Sequence, residues 1–488
     1  MVRSILRLGG VVMVAVLAVM TVRAATLRSR QVHPAPAAPV DTRLDESVAA
    51  SLAEALRIPT VSTEAGPPAA RDLEAFQALL ERSFPQAFAH LQRTPVEGHG
   101  LLLRWPGSDP ALRPLVLLAH QDVVPVPDDD VSRWQHPPFS GVIDQGFVWG
   151  RGALDDKGSL VAILAAIDRL AAAGGAPRRT VILAFGDDEE IGGRDGAARL
   201  AAELGREGVH AEIVLDEGSA VTQGIVPGIA RPVALVAMAE KGFATVDLEV
   251  EGEGGHSSMP PAETAIGILA RAVDRLERHP MPARLCPPER AMLAYLAPEL
   301  GFDRRLLLAN LWLTEPLVLR SLSATAAGSA SIRTTTAPTL LRAGVKDNVL
   351  AERATATVNF RILPGDTVAA VVEHVERTIR DPRVKVTLRR DMASEPSPVS
   401  PLDAEPFGLL QRTIAEVFPD AVVAPSLTPG ATDARRFYGI SANVYRFTPV
   451  RLERADLERF HGRDERISVV AVGEMVRFYE RLITNAAR

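Results

Sequence analysis

The sequence holds a single cysteine, Cys286. One thiol cannot close an intramolecular disulfide, and zinc sites built on cysteine thiolates are excluded. Any metal must therefore be held by His, Asp and Glu. Cys286 stands between Leu285 and Pro287 with no histidine nearby, as a small buried hydrophobe would. Positive charge is not in excess either, with 54 Lys and Arg against 60 Asp and Glu. The formal net charge is −6 and no long basic run occurs, so nucleic acid is not an expected partner. The G-x-S-x-G elbow of one serine hydrolase class is missing. Gly150 and Gly152 begin a G-x-G, but the third glycine of a dinucleotide loop would fall at Asp155, so that reading fails too. No internal repeat is evident.

What is present is globular. The 488 residues are 47% hydrophobic and 23% charged, enough for a sizeable core and more than one ordinary domain. At the N-terminus, Arg3 and Arg7 precede an apolar stretch over 8–22, followed by Arg23, Ala24 and Ala25. That is a basic flank, an apolar run and small residues where a signal peptidase could cut. Residues 1–24 are read as a signal peptide or membrane anchor, which makes the protein exported or anchored facing outside the cytoplasm. The run is short of the roughly 20 residues of a spanning helix, and Arg28 and Arg30 follow it closely. Residues 25–42, with Pro34, Pro36 and Pro39, read as a linker.

From about residue 43, short apolar runs alternate with helical patterns. Runs at 114–120, 180–185 and 212–215 read as buried strands. Leu160, Ile163, Leu164, Ile167 and Leu170 fall at helical spacing and predict an amphipathic helix over 157–173. A further helix is expected at 197–204. Alternation of this kind implies an α/β catalytic domain with a mostly parallel sheet, whose sites form beyond the carboxyl ends of the strands. After Lys241 the pattern changes: 245–251 and 354–362 alternate apolar with polar, and helices are expected at 262–278 and from about 367. That set suggests a smaller α+β lid domain with an antiparallel sheet. The expected division is 43–240 and 395–488 for the catalytic domain, and 241–394 for the lid, with a leucine-rich insert at 281–331.

Five clusters could carry chemistry: His120-Gln121-Asp122, the stretch Gly150 to Gly158 around Asp155-Asp156, Asp187-Asp188-Glu189-Glu190, Asp216-Glu217-Gly218, and His461-Gly462. Four consecutive carboxylates at the mouth of a buried strand repel one another, and a bound cation removes that repulsion. Two histidines with several carboxylates suit Zn²⁺ or a similar divalent ion. A pair of metals about 3.5–4 Å apart needs a bridging carboxylate, and a spare carboxylate beside them can act as general base.

The order of these clusters, with HQDVVPVP (120–127), WQHPPFSG (134–141), GRGALDDKGS (150–159), DDEEIGG (187–193), LDEG (215–218), EKG (240–242), GHSSMPP (255–261), IRTTTAPT (332–339), NFRILPGD (359–366), TPGATDARRF (428–437) and HGRDERIS (461–468), resembles the co-catalytic zinc aminoacylases and carboxypeptidases of peptidase family M20. Within that family it looks most like the branch of carboxypeptidase S and the secreted N-fatty-acyl-amino acid synthases/hydrolases. The resemblance runs from about residue 45 to the end.

It implies two Zn²⁺ per chain, with another divalent metal as an alternative. Asp155 would bridge them, joined to Asp156 by a cis peptide. His120 and Asp216 would complete one site, and Glu190 and His461 the other. Glu189 would be the general base, taking a proton from the attacking water and passing it to the leaving amine. Asp122 would hold the second imidazole nitrogen of His120. From the lid, His256 would polarise the scissile carbonyl with Asn348 nearby, and Arg361 with the Gly430 backbone would clamp the substrate carboxylate. A surface ion pair on an alternating strand is the other role open to Arg361. Asp464 stands where relatives carry Asn, adding charge near the second metal.

The implied function is hydrolysis of the amide bond of N-acyl amino acids next to a free carboxylate, with long acyl chains and reversal toward synthesis left open. A carboxypeptidase or dipeptidase with the same centre is the alternative, and a non-catalytic zinc-binding protein the remote one. The partner is a small-molecule substrate, with a membrane through the N-terminal segment as a further possibility. His256 could act across a homodimer, or within a monomer if the insert makes one self-sufficient. The insert itself has three readings: core packing, an acyl-chain channel, or contact with a membrane.

Overall fold

The computed structural model describes residues 2–37 and 42–486. Residues 38–41 of the expected linker lie outside the described residues, as do residue 1 and the last two.

The catalytic domain is built on a ten-stranded mixed sheet. Four contiguous strands, Val181–Gly186, Leu115–His120, Ile213–Asp216 and Val444–Arg446, run parallel and form its centre. Antiparallel strands flank them: Leu101–Trp105 on one side, Val233–Glu240 on the other. Strand parity sorts the core into two layers. Leu115, Leu117, Leu183 and Phe185 pack with the helices Lys157–Ala172 and Val469–Ala486. Val116, Leu118, Ile182 and Ala184 pack with the helix Ala197–Arg206 and with Phe437.

The helix Lys157–Ala172 departs from the expected amphipathic pattern, because it is buried continuously from Lys157 to Ile167. Helices Thr42–Leu56, Pro85–His90 and Val469–Ala486 close over the face that was expected to meet water. Even Lys157 is enclosed, its Nζ donating to the carbonyls of Ala55 (3.1 Å) and Ile58 (2.6 Å). That satisfies an ammonium that would otherwise be costly to bury.

The α+β lid has a four-stranded antiparallel sheet ordered Thr335–Ala343, Arg353–Ile362, Gly242–Glu251, Val384–Ser394. Helices Ala265–Arg278 and Val368–Ile379 cover one face through Ile268, Leu269, Leu276, Val371 and Val375. The chain passes from one sheet to the other at Lys241, between the strands Val233–Glu240 and Gly242–Glu251. It returns just beyond Ser394, which pairs with Phe243. On the catalytic side the two segments stay bonded: Ser397 N donates to Glu240 O (3.2 Å) and Glu240 N to Ser397 Oγ (3.0 Å). A side chain at Gly242 would collide with the Ser394 carbonyl. The Glu240 carboxylate is fully buried at this crossing, accepting from Arg446 Nε (3.0 Å) and Thr432 N (3.1 Å), with the Arg435 guanidinium as an ion-pair partner at 3.1 Å.

The insert packs on the catalytic body. Tyr295, Leu296 and Leu300 join the main core, and the helix Pro287–Leu296 lies on the strand Val422–Thr428. Leu285, Leu293, Val318 and Ile332 form a small core of their own. For these residues the packing reading holds.

A helix spans Val2–Thr26, and its portion Arg7–Thr26 is 20 residues long with mean hydropathy 2.1. By length and composition it could cross a membrane. Most of it is exposed, but Met20 and Ala24 are buried. The stretch expected as linker is tied to the body: Gln31 exchanges hydrogen bonds with the Val423 backbone (2.9 and 2.7 Å), and Ala37 N donates to Glu416 O (2.7 Å).

Candidate metal centre and active site

His120 ends the central strand Leu115–His120, so its imidazole emerges at the carboxyl edge of the sheet. Its Nδ1 lies 2.9 Å from the Asp122 carbonyl oxygen. A carbonyl only accepts, so Nδ1 carries the proton and the lone pair of the neutral ring sits on Nε2. That nitrogen faces Asp155 Oδ1 at 3.0 Å and Glu217 Oε1 at 3.7 Å. The other oxygen of Asp155, Oδ2, faces His461 Nε2 at 3.1 Å, and His461 Nε2 also meets Glu190 Oε2 at 3.2 Å. Asp155 thus lies between two imidazoles, one oxygen toward each, with a further carboxylate on either side. Its peptide bond to Asp156 is cis.

Glu217, not Asp216, faces His120. Asp216 is the last residue of its strand and lies on the Val214 side, where its Oδ2 accepts from Ala434 N at 2.7 Å. The carboxylate is spent on the neighbouring loop. Glu217 follows past the end of the strand and is the one turned to the cluster. Asp156 also brings an oxygen within 4.8 Å of ligand atoms of His120 and Glu217.

Of the four consecutive carboxylates, only Glu190 enters the cluster, with Glu189 beside it. Asp188 accepts from Asp195 N and Gly196 N, both at 2.8 Å, just before the helix Ala197–Arg206. Asp187 accepts from His99 N at 3.3 Å, and burial with the adjacent Asp188 charge pushes it up to about 6. A structural role therefore accounts for both. Glu189 and Glu190 are positioned by Asp122, which accepts from Glu189 N (3.1 Å), Glu190 N (3.2 Å) and Ser62 Oγ (2.6 Å). Burial opposes its ionisation, but the hydrogen bond and charge of His120, then Ser62 and the Glu190 amide, hold it below the usual carboxylate range. One buried carboxylate therefore fixes the His120 ring and the backbone of both glutamates.

The loop carrying Asp155 is fixed by a residue not singled out from sequence. Glu465 is fully buried and accepts from Gly152 N (3.1 Å), Leu154 N (2.8 Å), Asp155 N (3.2 Å) and Arg151 Nη1 (2.6 Å). Its neighbour Asp464 caps Gln135 N at 2.7 Å and sits at φ +57°, a region Asp tolerates. The extra charge there has a structural partner. Asp433 is a second overlooked carboxylate. It is buried so closely against Gly193 that any side chain at that glycine, which lies at φ +60°, would strike it.

The electrostatics call for cations. Burial raises Glu217 well above the carboxylate range, helped by Asp155 and Asp156. Burial likewise raises Glu189, with Asp433, Glu190 and Asp155 adding to it. His461 is pushed up to about 10 by hydrogen bonds to Asp155 and Glu190. For His120, burial opposes the charged ring, but the hydrogen bonds to Asp122 and Asp155 outweigh it. Without an ion, so many carboxylates balance their charge only by keeping protons nearby. The buried Glu190 Oε1 has no hydrogen-bond partner. An acceptor-only donor set of His and carboxylates with such an orphan atom fits divalent metals, and the residues that could hold them are His120, Asp155 and Glu217 on one side, and Asp155, Glu190 and His461 on the other.

The lid residues are not brought against this cluster. His256 is exposed on a short ladder with Val349, its Nδ1 2.8 Å from Ser258 Oγ. Asn348 lies next to it, its carbonyl accepting from Ser257 N. Arg361, exposed on the strand Arg353–Ile362 opposite Phe243, places its charge near Lys241 and Arg435 at the domain crossing. Gly430 is open on its Cα side, with only the Thr428 methyl close by.

The chain is 43% identical over 453 residues to the N-fatty-acyl-amino acid synthase/hydrolase PM20D1 of Xenopus tropicalis, covering 91% of this chain and 88% of that protein. It is 31% identical to carboxypeptidase S of Saccharomyces cerevisiae, covering 89% and 83%. Among solved structures it superposes on the M20 family metallo-carboxypeptidase Sso-CP2 of Sulfolobus solfataricus with a TM-score of 0.68 at 18% identity, covering 90% and 99%, a likeness of fold. The family model for Peptidase family M20/M25/M40 matches residues 116–485, a span that contains every residue of the metal cluster. On these findings the chain is a member of peptidase family M20/M25/M40.

Proposed function

We propose that the protein is a two-zinc hydrolase that cleaves the amide bond of N-acyl amino acids beside a free carboxylate. The observation that carries this is the placement of Asp155 between His120 and His461, each with its own glutamate, next to a half-buried Glu189. The activity named for the Xenopus relative supports the acyl substrate. When bound, the two ions supply Lewis acidity to the scissile carbonyl and the attacking water. Glu189 takes the proton from that water and delivers it to the leaving amine. Asp122 keeps the base and the ligands in one frame. Arg361 pairs with the substrate carboxylate through its planar guanidinium.

The test is a series of N-acyl amino acids from acetyl to oleoyl, run beside matched dipeptides. Each methylene buried in an acyl site is worth about 0.8 kcal/mol, or roughly fourfold in kcat/KM. A rising series supports the fatty-acyl reading. Turnover of dipeptides alone would move the protein to the peptidase side, which the similarity to carboxypeptidase S also supports.

His256 is exposed, and so are Leu340 and Leu341 on the strand Thr335–Ala343 at the edge of the lid sheet. An uncovered apolar edge strand is a pairing surface. In our reading a second copy covers it, and His256 serves the partner's centre. Mixing two inactive variants, His256→Ala and Glu189→Ala, then restores activity at about one site in four in a random dimer mixture. A mixture as inactive as its parts would point to a self-sufficient monomer.

Export or membrane anchoring belongs to the same proposal, supported by the apolar helix Val2–Thr26.

A further inference from the structure

The helix Leu311–Leu322 packs one apolar side on a small core and presents further apolar residues to the outside. Its buried positions are Thr314 and Val318, while Trp312 is 57% exposed, Leu313 48% and Leu317 60%. Phe302 and Leu307, on the preceding helix Phe302–Leu308, extend the same outward apolar character at 50% and 39% exposure. Soluble monomers rarely leave such clusters uncovered, and the few that occur mark interaction sites.

The position of this face identifies its occupant. Trp312 Nε1 donates to Asn310 Oδ1 at 3.2 Å. Asn310 is fully buried, and its Nδ2 donates to the Met20 carbonyl at 3.0 Å. Arg23 Nε donates to the Ala309 carbonyl at 3.2 Å. The face is thereby fixed to the root of the N-terminal helix. Beyond that root the helix stands clear of the body, with Leu8, Val11, Met13 and Val14 each more than half exposed. Its 20-residue portion Arg7–Thr26, apolar apart from the arginines and threonines near its ends, reaches about 30 Å, the thickness of a hydrocarbon core. A cut at Ala24–Ala25 would remove both Met20 and Arg23, the groups that close over Asn310 and Ala309. Arg23, Arg28 and Arg30 lie where the helix meets the body, as cations do at a membrane surface, and an exposed tryptophan beside them suits the same interfacial zone.

We propose that the helix Val2–Thr26 is retained as an anchor and that the face formed by Phe302, Leu307, Trp312, Leu313 and Leu317 rests on the bilayer it crosses. This rests on the anchored reading given above and adds to it a second, lipid-contacting surface on the folded body. The insert then holds the catalytic domain at a fixed height and orientation over the lipid, where long-chain amphiphiles partition.

Trp312 is its own probe. The other three tryptophans, Trp105, Trp134 and Trp149, are at most 7% exposed. The full-length protein is reconstituted in phosphatidylcholine vesicles with plain or brominated acyl chains, and its intact mass is measured. The expected result is a chain that still contains Val2–Thr26, with bromolipid quenching the part of the emission that Trp312→Phe removes. A chain starting beyond Ala24 overturns the anchored reading and the inference together. A retained helix with Trp312 quenched by aqueous acrylamide and untouched by bromolipid overturns the lipid face alone. Shielding from acrylamide that grows with protein concentration, again without bromolipid quenching, assigns the face to a second copy and overturns it equally.

Discussion

Glu189→Gln is expected to keep its full complement of metal and to lose about 10³-fold in kcat, within the range that loss of a general base costs. The side chain is held apart from both imidazoles, while its backbone N donates to Asp122 Oδ1 at 3.1 Å, so an isosteric amide leaves the local structure in place. What changes is proton affinity. Burial and the neighbouring carboxylates Asp433, Glu190 and Asp155 raise Glu189 well above the ordinary range, which favours its taking up a proton. Glutamine cannot take the proton from water at all. Steady-state turnover of the preferred acyl amino acid, paired with metal analysis of the same sample, checks this. A variant that retains more than about a tenth of kcat would assign the base elsewhere. A variant that loses metal would make Glu189 a ligand.

The second large effect separates two adjacent residues. Glu217→Ala is expected to bind one metal ion with affinity lowered well beyond the roughly 10- to 100-fold that an outer hydrogen-bonding partner is worth. Asp216→Ala is expected to keep both ions and to lose about 1–3 kcal/mol of stability, because Ala434 N is left buried without its acceptor. Metal titration by calorimetry and thermal unfolding read the two effects independently. The reverse outcome, with the Asp216 variant losing metal and the Glu217 variant merely destabilised, would restore the assignment drawn from the sequence resemblance. Asp155→Ala is the control that should release both ions, since each of its oxygens faces a different histidine.

The limits of sequence reading follow from this pair. Buried strands announce themselves by continuous apolar runs, so 114–120, 180–185 and 212–215 are legible, and with them the edge of the sheet where His120, Glu190 and the LDEG segment gather. Which of two neighbouring carboxylates turns inward depends on where the strand stops and which backbone amide waits beside it. Ala434, more than 200 residues away, settles that for Asp216. Similarly, nothing local distinguishes Asp188, which holds a helix start, from Glu190, which meets His461. Glu465 was visible only as part of a motif, because its three backbone partners lie on a loop some 310 residues earlier. The helix Lys157–Ala172 misleads for the same reason: its outer face is polar enough to look wet until three other helices cover it.

The crossing at Lys241 has a mechanical consequence. The outgoing and returning segments are hydrogen-bonded neighbours on both sides of the junction, through Phe243 and Ser394 in the lid and through Glu240 and Ser397 in the catalytic domain. Such a ribbon bends readily out of its own plane and resists sliding or splaying within it, because those movements break the ladder. The lid therefore has one soft direction, and the buried Glu240 clamp fixes the base from which it swings. Arg361, on the strand opposite Phe243, lies close to that axis and travels little, whereas His256, far out on the lid, sweeps the longest arc. Both residues ride on the lid, so a single angle leaves their separation unchanged and sets how far each stands from the metal cluster, His256 far more than Arg361.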